Sequence, residues 1–134
     1  MTSVADFQEG VNDAEEAYEY MIAYAGRGIG REVQNTQVDQ IRTYLEQLVD
    51  GLTQAIGAAA DIPDEFDVDG EEYYDPVIEE LERELIEARD ILNLLIQQER
   101  ITSQQVDNLN GMSVFQSVLM KLFFLEEVTK HLDQ

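Results

Sequence analysis

The sequence predicts an all-α protein: an antiparallel four-helix bundle with one extra short helix and an acidic loop between its second and third long helices. Two observations carry this. Apolar residues recur at steps of three and four in four separate stretches, the spacing of one packed helix face. No short segment alternates apolar and polar residues as a half-buried strand would. At 134 residues the chain is expected to be a single domain over 1–134, long enough to bury a substantial core.

Val4, Phe7, Val11, Ala14, Tyr18, Met21 and Ala25 form the first seam. Ser3, with Asp6 three residues on, reads as a capping box that starts this helix near residue 4. Gly10 weakens it by about 1 kcal/mol relative to Ala, and the GRGIG run at Gly26 to Gly30 is expected to end it. Val38, Ile41, Leu45, Leu48, Leu52, Ala55 and Ala59 form the second seam, starting between Glu32 and Thr36, with Pro63 as its stop. Residues 61–75 lack a period and read as the acidic loop. Asp75 is placed as the cap of the third helix and Pro76 at its first position, where a missing N–H costs nothing. Its seam is Ile78, Leu81, Leu85, Ala88, Leu92 and Leu95, with Arg83 able to pair with Glu79 or Glu87. Thr102 and Gln105 form a capping box for a short helix ending near Asn110 and Gly111. The last helix, Met112 to Leu132, is apolar on more than one face, through Val114, Phe115, Val118, Leu119, Leu122, Phe123, Phe124, Leu125 and Val128. Such a helix is central in the bundle or shared with a second subunit.

Composition narrows the function. There are 29 acidic residues against 8 basic ones, a formal net charge of −21. Direct binding to nucleic acid or anionic lipid is therefore disfavoured, and cations or basic proteins are the natural partners. The absence of Cys removes thiol catalysis and thiolate metal sites. Asp6 and Glu9 stand where a signal peptide would be basic and then apolar, so a cytoplasmic, membrane-free protein is expected.

Three constellations could carry chemistry. Between Asp61 and Glu87 there are 13 carboxylates and one base, Arg83. Placing Gly70 at the sixth position of an EF-hand-like loop puts Glu65, Asp67 and Asp69 at alternating ligand positions, with Glu71 next to them. Pro76 then falls where a bidentate Glu is required, so the expectation is a weak, irregular Ca²⁺ or Mg²⁺ site or a solvated loop. Arg27 and Arg31 flank GRGIG and could clamp an anion, although a helix end explains the glycines equally well. Tyr20 and Tyr24, one turn apart, and Phe123 and Phe124 are the candidate partner-binding residues. His131 is the only histidine, with Glu127 four residues before it, which cannot complete a bundle di-metal site and suits a helix C-terminus instead. No nucleophile, base and orienting group come together, so no enzyme is expected.

The sequence points to a non-catalytic protein acting through protein–protein interaction, as adaptor, regulator or assembly factor. Its partner would be basic, and it would self-associate as a dimer through the last helix. Two further readings stay open: Ca²⁺ or Mg²⁺ binding by the 61–75 loop, and mimicry of nucleic acid to occupy a DNA-binding protein. Two lysines against so many acids also fit adaptation to high salt, though the 12 glutamines fit that less well.

Overall fold

The computed structural model describes residues 2–28 and 35–132. Five helices follow in order: α1 (Ser3–Gly28), α2 (Asn35–Glu65), α3 (Glu71–Ile96), α4 (Ser103–Asn110) and α5 (Ser113–Thr129). No strand occurs among the described residues. The four long helices make an antiparallel bundle. The α1–α2 pair is its most extensive contact; α3 packs on α2, the short α4 on α1, and α5 bridges α3 and α1.

The predicted seams become the core. Val4, Phe7, Val11, Ala14 and Met21 from α1 meet Ile41, Leu45, Leu48, Leu52, Ala55 and Ala59 from α2, all buried. Tyr18 and Leu85 are half-buried at its margin. At Gly10 the backbones of α1 and α2 lie in direct contact. A Cβ there would sit 2.6 Å from the Ala55 backbone nitrogen and 2.9 Å from the Gly51 carbonyl oxygen; one on Gly51 would sit 2.8 Å from the Ala14 nitrogen. The propensity lost at Gly10 is thus exchanged for backbone-to-backbone packing that no larger residue allows.

Polar contacts line the outside of this pair at a fixed interval. The Gln54 amide donates to the Asp6 carbonyl and the Gln47 amide to the Asp13 carbonyl, each at 3.0 Å, while the Tyr20 hydroxyl donates to Gln40 Oε1 at 3.1 Å. Residues 6, 13 and 20 on one helix meet 54, 47 and 40 on the other. Each step is seven residues, two turns, so the same face returns. A helical carbonyl keeps a second lone pair beside its intrahelical bond, and in so acidic a chain glutamine supplies a donor to it without a charge.

The helix ends differ from the sequence reading in physical detail. The cap of α1 is Thr2, whose Oγ1 accepts from the Ala5 amide at 3.1 Å, not a Ser3–Asp6 box. The Ser3 amide instead donates to both Glu65 carboxylate oxygens at 3.2 Å, so the end of α2 caps the start of α1. The acidic loop contracts from 61–75 to residues 66–70, because neither proline acts as a boundary. Pro63 lies inside α2 and Pro76 inside α3. Pro63 has no N–H for the carbonyl of Ala59, four residues back; the buried Tyr74 hydroxyl donates to that oxygen at 2.6 Å. Gly70, with φ 76°, takes the capping position of α3 that was assigned to Asp75. The Thr102–Gln105 capping box forms as expected, with both hydrogen bonds present. The third helix carries no base in its last turn, and Arg42 of α2 supplies the cation, donating to the Ile96 carbonyl and, at 3.0 Å, to that of Gln98.

Candidate interaction surface

Glu65, Asp67, Asp69 and Glu71, the sequence-predicted cation ligands, fall at the end of α2, in the five-residue connection and at the first position of α3. The connection is too short for a 12-residue ligand loop. Glu65 is already engaged: its hydrogen bonds from Ser3 hold the carboxyl below its ordinary range. Among the described residues no group of three carboxylate or imidazole side chains converges on one point. His131 is exposed, and Glu127 pairs with Lys130 at 2.7 Å. Arg31 and the side chain of Arg27 lie outside the described residues, as does Gly30 of the GRGIG run.

The aromatic candidates separate into three kinds. Tyr24 belongs to the core: it is buried, and its hydroxyl donates to the Ile101 carbonyl at 2.6 Å, fastening the α3–α4 connection to α1. Burial, reinforced by nearby Tyr20, raises its pKa, so it remains a protonated donor. Tyr20 is half-buried and stacks on Tyr44 with ring centroids 4.0 Å apart. These two rings, with Asp39, Gln40, Thr43 and Gln47, line an open hollow of about 400 Å³. Phe123 is half-buried, whereas Phe124 is 64% exposed and Met120, one turn before it, 69%.

A second opening was not anticipated from the sequence. Ile91, Leu94, Leu95 and Gln98 of the α3 end, with Gln105, Leu109 and Met112, line an apolar groove of about 280 Å³. Leu94 is 68% exposed at its edge. The available signal was the paired Ile91-Leu92 and Leu94-Leu95. A helix with one buried seam buries one member of each pair, here Leu92 and Leu95, leaving Ile91 half-buried and Leu94 exposed.

Position along the α3–α5 seam is fixed by the Lys121–Glu84 ion pair, 2.6 Å, with Glu84 largely buried. Met112 lies against the C-terminal part of α3 and Lys121 against its middle, so α5 runs antiparallel to α3. Residues three and four from each partner share its flank: Glu80, Glu87 and then Ile91 on α3, Phe124 on α5. Arg83 is drawn to Glu80 at 2.5 Å, one residue nearer than the four-residue pairs that the sequence suggested.

The surface therefore offers exposed apolar side chains and carboxylates on one seam. No helix among the described residues is long and apolar enough to cross a membrane. Comparison with known proteins gives no matching family model, no matching curated protein and no matching solved structure.

Proposed function

We propose that this chain is a non-catalytic binding protein, an adaptor, regulator or assembly factor that docks a protein partner on apolar side chains left uncovered along α3 and α5. The observation that carries this reading is the exposure of large apolar side chains on these two helices: Leu94 and Phe124, 68% and 64%, with Ile86 and Met120 exposed as well. Exposed apolar side chains rimmed by polar groups mark interaction sites.

Proximity labelling in the native cell tests it, with the wild type compared against a Leu94→Ser/Phe124→Ser double variant of equal thermal stability. Loss of a defined set of labelled proteins in the variant is expected. An unchanged set would remove these side chains from the function.

A second reading, self-association through α5, draws on Met120 and Phe124, exposed one turn apart. Two copies would each bring a charge of −21, so such a dimer should tighten as salt rises. Light scattering over a salt series checks this: a monomer mass at every salt concentration rules the dimer out.

A further inference from the structure

We propose that the occupant of the α3–α5 seam is a cationic amphipathic helix of a partner protein, with apolar anchors in the Leu94–Met112 groove and on Phe124 and basic residues over the α3 carboxylates between them. The inference rests on the binding-protein reading above and specifies the partner's chemistry.

Two independent features choose this occupant. The first is the order of side chains along the seam. The groove formed by Ile91, Leu94, Leu95, Leu109 and Met112 lies at one end. Glu87 follows one turn before Ile91 on the same flank, then Glu84 and Glu80. Phe124 sits three residues beyond Lys121, which itself contacts Glu84. From Leu94 to Glu80 is 14 residues, about 21 Å of helix. A partner helix of about four turns spans that distance and presents its own apolar residues every three or four positions.

The second feature is charge. The two bases on the α3–α5 flank are already paired: Lys121 with Glu84 and Arg83 with Glu80. Glu87 and Asp90 are exposed beside Ile91 and Leu94. An approaching apolar stripe flanked by lysine or arginine meets complementary charge here, while a neutral or acidic stripe meets a chain of net charge −21. A second copy of this chain brings the wrong sign. A small apolar ligand would fill the groove but leave the carboxylates and Phe124 unused.

The test uses the full-length protein and three fluorescein-labelled peptides of about 18 residues, roughly five helical turns. One carries leucine and lysine at helical spacing, one replaces each lysine by glutamate, and one scrambles the first so that no apolar stripe forms. Fluorescence anisotropy near physiological ionic strength gives each Kd. The leucine–lysine peptide should bind at least about 10-fold tighter than the scrambled one, and the glutamate peptide should not bind. Leu94→Ser and Phe124→Ser, both at exposed positions, should each weaken the first peptide about 10-fold. Glu87→Gln should weaken it and flatten its dependence on salt.

Equal binding of the ordered and scrambled lysine peptides would overturn the proposal, since attraction would then be charge alone. Binding of the leucine–lysine peptide unaffected by both serine variants would overturn it too. Equal binding of the glutamate peptide would refute the cationic partner while leaving the groove as a docking site. Failure of both amphipathic peptides would refute a helical occupant. The labelling experiment above decides separately whether these side chains bind a protein at all.

Discussion

Replacing Tyr74 by Phe tests whether a tyrosine hydroxyl carries α2 through its proline. The ring stays, so packing is nearly conserved, but the Ala59 carbonyl loses the donor that stands in for the absent Pro63 N–H. A buried acceptor left unsatisfied costs about 1–3 kcal/mol, a large part of a typical domain stability of about 5–15 kcal/mol. Pro63→Ala restores an amide aimed at the same oxygen. In that background Tyr74→Phe should cost about 1 kcal/mol or less, giving a coupling of about 1 kcal/mol or more between residues 63 and 74. Urea unfolding followed by far-ultraviolet circular dichroism measures all four proteins, with an unchanged m-value securing the comparison. Equal losses in the two backgrounds would refute the exchange of donors.

Gly51→Ala should destabilise by about 1–3 kcal/mol despite alanine's better helix propensity, because its Cβ would meet backbone atoms of α1 at 2.8 and 2.9 Å. Gly57→Ala, with nothing within 4 Å, should stabilise by about 0.4–1 kcal/mol, both variants being measured by the same urea unfolding. Gln47→Glu turns a donor into an anion beside the Asp13 carbonyl and Glu16, and should cost about 1–3 kcal/mol at neutral pH. The Glu65 carboxyl is held below its ordinary 4.5 by Ser3, so its contribution is complete above pH 4.5 and disappears as pH falls through the lowered folded value. A stability difference between wild type and Glu65→Gln that persists below that range would contradict this. Glu126 goes the other way: burial, then the charges of Glu15 and Glu127, raise its pKa. Its charged form therefore opposes folding, and Glu126→Gln should stabilise at pH 7 with a gain that shrinks on acidification through the raised value.

The architecture was legible because each long helix buries one seam, and a buried seam leaves a period in the sequence. Ile41, Leu45, Leu48 and Leu52 are all fully covered, as their spacing predicted. The boundaries at Pro63 and Pro76 were misread because proline's local penalty is visible in the sequence, while the hydroxyl that relieves it at Pro63 arrives from a different helix. Gly10 looked like a weakness for the same reason: its compensation is Gly51, 41 positions away. Of the proposed surface, Phe124 was anticipated from the excess apolar character of α5. Tyr24 reads as a partner-binding candidate from ring spacing, which cannot show that Ile101 waits across the bundle for its hydroxyl. The Leu94 groove escaped notice because it needs Leu109 and Met112 from a later part of the chain.

The seven-residue ladder between α1 and α2 works as an alignment gauge. Sliding α1 by one turn, about 5.4 Å, would break the contacts of Gln40, Gln47 and Gln54 together, because all share one interval. The same slip would carry Gly10 off Gly51 and set side chains where only bare backbone fits. It would also take the Ser3 amide away from Glu65 at the far end. Out-of-step pairings would still bury leucine against leucine, so the apolar seam alone discriminates poorly among them. The polar rungs and the glycine notch make the neighbouring registers expensive, and this pair of helices can settle in only one.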